Sequence, residues 1–201
     1  MKQSTHKQKM NKVTLIGLSL LTAIVSLAGP SCTAHAAAQE EGRSVTSLDL
    51  GFDTNTPGHE VLMALTLDVA EGVEVQTAIS EVTFPNGLLS FEEVLSGLSA
   101  QAANAQVSAV VQVDDQNPEN SIVTVTVSTE EGRFIPSGVI ADLAFIISLE
   151  APLEQTINLK NVVRALTTDD PPAPVDPIIG MEGEVQVTEF PPVFVCFFFM
   201  H

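Results

Sequence analysis

One stretch limits the fold of this chain more than any other. Val139, Ala141, Leu143, Phe145 and Ile147 are apolar and occupy every second position. Period two is the side-chain spacing on one face of a β-strand, so these five share a face. The alternate set, Ile140, Asp142, Ala144, Ile146 and Ser148, is mixed but still largely apolar. Pro136-Ser137-Gly138 opens the stretch with turn chemistry. The pattern predicts a long strand with one face in a core and the other partly covered, flanked by further strands.

The rest of the chain supplies them. Residues 45–50 alternate weakly. In 60–70, Val61, Met63, Leu65, Leu67 and Val69 line one face. Residues 72–84 form another strand, closed by the turn Phe84-Pro85-Asn86-Gly87. Residues 88–95 read as a strand or one helical turn, and 99–105 as a loop of small residues. Residues 106–113 and 121–128 are strands joined by the acidic turn 114–120. In the second, Val123, Val125 and Val127 alternate with Thr124, Thr126 and Ser128, the pattern of a half-buried strand. Residues 155–166 set Ile157 and Leu159 against Asn158 and Lys160, and 183–188 close the series. The clusters at 53–58 and 169–177 read as turn and Pro-rich loop. Eight or nine short strands with no long helix predict an all-β sandwich with jelly-roll topology.

The ends read differently. Residues 1–36 have the form of a secretory signal peptide. Lys2, Lys7, Lys9 and Lys12 are followed by an apolar run over 13–28, and Ala34-His35-Ala36 offers a cleavage site, with 36–38 as a second choice. Residues 37–44 are a polar lead-in, 45–188 the folded domain, and 189–201 a Pro191-Pro192 break with an apolar tail. That tail, 193–200, is far below the roughly 20 residues of a spanning helix. The expected location is therefore outside the cell, at its surface or in the periplasm. The two cysteines, Cys32 and Cys196, both lie outside 45–188, so the domain rests on its core without a disulfide or a Cys-ligated zinc.

Charge narrows the function. The chain has 8 Lys+Arg and 25 Asp+Glu. Without the four early lysines the balance is 4 − 25 = −21. A surface this acidic repels nucleic acid and anionic lipid. His59 is the one histidine within 45–188 and has no nucleophile or metal-ligand partner at a telling spacing, so an enzyme is not expected. Asp114, Asp115, Asn117 and Glu119 place hard oxygens in one turn, as calcium prefers, but without the Gly-turned twelve-residue loop of an EF-hand. Calcium is thus the one cofactor with a candidate ligand set. Ten Phe with no Trp or Tyr argue against a sugar-gripping face.

The order of signals resembles the cohesin family, the dockerin-binding modules of bacterial extracellular complexes. The resemblance rests on Pro57-Gly58, on 84–91 (Phe-Pro-Asn-Gly-Leu-Leu-Ser-Phe), on 138–145 (Gly-Val-Ile-Ala-Asp-Leu-Ala-Phe), on 157–162 (Ile-Asn-Leu-Lys-Asn-Val) and on 183–187 (Gly-Glu-Val-Gln-Val). It covers about residues 45–188, and 138–145 is its most specific piece. Phe84 stands where Tyr is commoner in the family, and the Asp before its Pro is absent. The resemblance implies a nine-stranded jelly roll with a protein-binding role. It also implies that a dockerin-bearing partner lies across the strands at 72–84, 106–113, 121–128 and 155–166. Alternation then gives the outward residues as Thr124, Thr126, Asn158 and Lys160; on 72–84 the period is ambiguous, Val82 and Phe84 inward would leave Glu81 and Thr83 outward, and a bulge would reverse the earlier half. Two other classes stand beside this one: a calcium-stabilised carbohydrate-binding jelly roll, and a structural surface protein without a discrete ligand.

Overall fold

The structure is a computed structural model that describes residues 45–192. The signal-peptide, lead-in and apolar-tail readings at 1–36, 37–44 and 193–201 lie outside the described residues. The strands are β1 (Thr46–Leu50), β2 (Phe52–Asn55), β3 (Glu60–Asp68), β4 (Val75–Pro85), β5 (Leu89–Ser96), β6 (Gln106–Val113), β7 (Asn120–Ser128), β8 (Gly138–Ile147), β9 (Thr156–Thr167), β10 (Ile178–Met181) and β11 (Gly183–Val187). A single short helix, α1 (Leu98–Ala102), lies between β5 and β6. They form two facing sheets, in the orders β10-β1-β3-β8-β5 and β2-β11-β9-β4-β7-β6. The all-β sandwich of the sequence reading stands.

The core is built by the period-two faces. Leu48 and Leu50, then Val61, Met63, Leu65 and Leu67, then Leu143, Phe145 and Ile147 point in from the five-stranded sheet. Ala78, Val82 and Phe84 of β4, Val123, Val125 and Val127 of β7, and Ile157 and Leu159 of β9 meet them from the other. Phe145 is fully buried between Phe84 and Phe91, edge-on to both, with ring centroids 5.2 and 5.5 Å away. That is the favoured aromatic geometry.

Four polar residues, Thr46, Ser80, Ser121 and Asn161, are buried among them. The Asn161 side-chain amide donates to Leu48 O (2.9 Å) and Met181 O (3.1 Å), and its Oδ1 accepts from Ser80 Oγ (2.7 Å). Asn161 therefore ties β9 to β1 and β10 across the sandwich, with its hydrogen-bonding groups engaged, as burial requires.

The structure differs from the sequence reading in three places. The described residues form eleven strands rather than eight or nine. Phe52–Asn55, read mostly as turn, and Ile178–Met181, which the sequence reading assigned to no element, are strands of four residues, too short to show a period. Each continues or precedes a strand of the other sheet: β1 and β2 part at Gly51, and β10 and β11 part at Glu182. The second difference is at 99–105, where Leu98–Ala102 is helical. Gly97 brings this helix onto β8, since a Cβ there would collide with the backbone of Val139, and Ala100 is buried beneath it.

The third difference lies in the stretch that opened the analysis. Pairing with β3 slips between Leu65 and Thr66, which face Ala141 and Val139. Ile140 is the extra residue of this bulge. It is buried and Val139 only half-buried, the reverse of strict alternation.

Candidate protein-docking face

The six-stranded sheet turns its outer face to solvent, and alternation decides what stands there. On β9 the inward Ile157, Leu159 and Asn161 leave Thr156, Asn158, Lys160, Val162 and Arg164 exposed. On β4 the inward Ala78, Ser80, Val82 and Phe84 leave Thr77, Ile79, Glu81 and Thr83 outside. On β7 the outward set is Ile122, Thr124, Thr126 and Ser128. On β6 it is Gln106, Ser108, Val110 and Gln112, which lie opposite these residues of β7.

The register turns these columns into rows. One row runs Val110, Thr124, Glu81, Val162 across β6, β7, β4 and β9. The rows beside it are Ser108, Thr126, Ile79, Arg164 and Gln112, Ile122, Thr83, Lys160. Five of the six residues expected on this face, Glu81, Thr83, Thr124, Thr126 and Lys160, therefore lie in three adjacent rows. Asn158 stands two residues along β9 from Lys160, opposite Glu184 of β11.

The sequence reading missed the apolar part of this face. Val110 and Val162 are 65% and 60% exposed at the two ends of the middle row. Ile79 and Ile122 are half-buried in the rows on either side. It also missed Arg164, whose guanidinium bonds the Glu81 carboxylate. The signal for Arg164 and Val162 was present, since both continue the alternation of Asn158 and Lys160. The neighbourhood of Val110 depended on the β6–β7 register, which no local pattern encodes.

Electrostatically the face stands apart. Of the 25 acids in the chain, the β9-β4-β7-β6 part of it carries one, Glu81, and Arg164 neutralises that one. Lys160 has no acid within salt-bridge distance among the described residues. The result, among the described residues, is a surface of aliphatic, hydroxyl and amide groups with one ammonium outside any salt bridge. Exposed aliphatic groups set among uncharged polar ones, with few charges, are the composition of a protein-recognition surface.

The four calcium candidates sit elsewhere, in the β6–β7 hairpin. Asp114 Oδ1 accepts from Gln116 N–H (2.9 Å), and Asn117 Oδ1 from Glu119 N–H (3.3 Å). These oxygens cap the turn's own backbone. No three His, Cys, Asp or Glu side chains among the described residues converge as a metal site. His59 is exposed, with Nδ1 2.8 Å from Thr56 Oγ1. No helix of the described residues is long and apolar enough to cross a membrane.

No family model matches the sequence, and no curated protein matches it. Solved structures do match. The third cohesin of ScaC from Acetivibrio cellulolyticus, solved with the ScaB dockerin, is 14% identical with a TM-score of 0.58, over 72% of this chain and 99% of that one. The OlpA cohesin of Clostridium thermocellum, in complex with a dockerin, is 16% identical with a TM-score of 0.57, over 71% and 99%. A non-cellulosomal cohesin from the archaeon Archaeoglobus fulgidus is 16% identical with a TM-score of 0.55, over 73% and 93%. At these identities the likeness establishes the fold, which is that of a cohesin domain.

Proposed function

We propose that this chain is a non-catalytic protein-binding module that captures a dockerin-like partner on the outer face of β9, β4, β7 and β6, within an extracellular or cell-surface assembly. The observation that carries the reading is the composition of that face. In a chain with 25 acids it is a broad area nearly free of them among the described residues, and it sets exposed Val110 and Val162, at its two ends, among Thr, Ser, Gln and Asn. Two solved structures of the same fold are cohesins in complex with dockerins, which supports the choice of partner class.

The direct test is capture of a panel of purified dockerin modules by the immobilised chain. Thr124→Arg and Thr126→Arg each place a long cation at the centre of the face. Each is expected to weaken capture at least about tenfold, the scale of a central interface residue, with no change in Tm. Equal capture by both variants and the wild type would move the site off this face, and no capture by the wild type would remove the dockerin class.

Export is part of the same reading and rests on the form of residues 1–36. Mass spectrometry of the secreted protein should find a mature N-terminus at Ala37 or Gln39. Retention of residues 1–30 would reject it.

A further inference from the structure

The two sheets end in four edge strands, β10 and β5 in one, β2 and β6 in the other. Three of them are blunted. β10 and β2 have four residues each. β5 carries Glu92 and Glu93 and is broken by a bulge between Phe91 and Glu93. Short length, charge and bulges are how natural sheets discourage a further strand from adding. β6 has none of these. Its eight residues, Gln-Val-Ser-Ala-Val-Val-Gln-Val, contain no charge and no proline, and their register against β7 is unbroken. Val110 is exposed on the outer face, while Val111 and Val113 are 46% and 56% exposed on the other.

The hydrogen bonds around β6 say which of its backbone groups are open. Asp114 N–H donates to Asn120 O at 3.0 Å, at the hairpin end of the ladder. On the far side of β7, Thr129 N–H donates to Gln76 O at 3.0 Å. Antiparallel ladders alternate bonded and non-bonded pairs. Both bonds fix the same parity: Gln106, Ser108, Val110 and Gln112 bond β7. Val107, Ala109, Val111 and Val113 then turn their N–H and C=O groups to the edge that no strand of the described residues pairs with.

We propose that this edge is a self-association site, where β6 pairs antiparallel with β6 of a second copy about a two-fold axis through Val110. In this register Val107 faces the partner's Val113, and Ala109 faces the partner's Val111. All four open residues of each copy find a bonded partner. A slip of two residues either way leaves one of them unpaired within β6. Val110 meets its own symmetry mate on the outer face, and Ser108 meets the partner's Gln112. Asp114 and Asp115, next along the chain, fall opposite the partner's Gln106 and Ala105, so no acid faces an acid. That matters in a chain with a net charge of −17, whose copies repel one another over most of the surface. The two outer faces end up on the same side of one continuous sheet. If each binds a partner, as proposed above, the dimer presents them as a bivalent surface.

Sedimentation of the secreted wild-type chain across the micromolar range should show its mass doubling with concentration. Val110→Lys sets two ammonium groups against each other across the axis, and Ala109→Pro removes an edge-facing N–H while leaving the β7 ladder whole. Both variants should stay monomeric with Tm unchanged. The register has its own test, in a chain carrying Cys32→Ser and Cys196→Ser. Val110→Cys should oxidise to a covalent dimer, because directly opposed residues of a non-bonded pair lie about 4.5 Å apart at Cα. Val113→Cys, opposite the partner's Val107, should not. A monomeric wild type, a dimer that survives both variants, or equal cross-linking at 110 and 113 overturns the proposal. None of these outcomes depends on dockerin capture.

Discussion

At the scale of single residues, Phe145 and Asp142 show how one strand divides its labour. Phe145 is wholly enclosed, with Phe84 and Phe91 against its edges. Truncation leaves a cavity that two flanking rings of opposite sheets cannot close together, so Phe145→Ala should cost roughly 3–5 kcal/mol in chemical denaturation. Asp142 stands on the other face of β8, half-exposed and opposite Ala64 and Leu95. Asp142→Ala removes little buried contact and should cost less than about 1 kcal/mol, as surface substitutions generally do. Equal losses from the two variants would contradict the facing on which the core rests.

At the scale of elements, the fold turns on two places where strands leave one sheet for the other. β1 and β10 are parallel neighbours in the five-stranded sheet, and β2 and β11 are parallel neighbours in the other. The two crossings meet: Glu184 N–H donates to Gly51 O at 3.3 Å, and Gly51 N–H to Ala64 O at 2.9 Å. A Cβ on Gly183 would stand 2.7 Å from Leu50 Cγ and 2.9 Å from Gly51 O. Backbone on one side and a core leucine on the other leave little room to yield. Gly183→Val should therefore cost roughly 1–3 kcal/mol by overpacking. Gly87→Ala, where nothing lies within 4 Å, is the control and should be near neutral in the same urea titration. A near-neutral Gly183→Val would mean that the crossing is looser than its geometry. These crossings also explain what alternation could not supply. Most longer strands announced themselves by period two, as at Val123, Val125 and Val127, while bulged β5 read as a strand or one helical turn. β2 and β10 are too short for a period and are defined by the chain they pair with. The bulge at Ile140 is likewise a property of the β3–β8 pairing, and it reversed two side chains that a purely local rule set the other way.

At the scale of the whole molecule, the candidate docking face was half legible for the same reason. Alternation placed Thr124, Thr126, Asn158 and Lys160 outward one strand at a time. Only the long-range register set Val110 beside Thr124 and Glu81 beside Val162, and so gave the face its apolar ends. The acids are its counterpart. They crowd the turns and loops: Asp114, Asp115 and Glu119 in one, Glu130 and Glu131 in another, Asp169, Asp170 and Asp176 in a third. Among the described residues the recorded ion pairs are Arg164 with Glu81 and Arg133 with Glu130, the latter at 3.9 Å between exposed groups. An exposed pair of that kind contributes little. The folded state thus gathers like charges that the unfolded chain holds farther apart, and this self-repulsion opposes folding. Mobile ions reduce it, since the screening length falls to about 8 Å at 0.15 M salt and about 3 Å at 1 M. Raising NaCl from low ionic strength should therefore raise stability by on the order of 1 kcal/mol, or Tm by roughly 2–4 °C for a domain of this size. The gain should level off at high salt, where screening is complete. Sulfate, by contrast, keeps adding stability through its exclusion from the protein surface. Calorimetry in parallel sodium chloride and sodium sulfate series separates the two, and a Tm that stays flat or falls in sodium chloride would mean that the acids lie too far apart to repel.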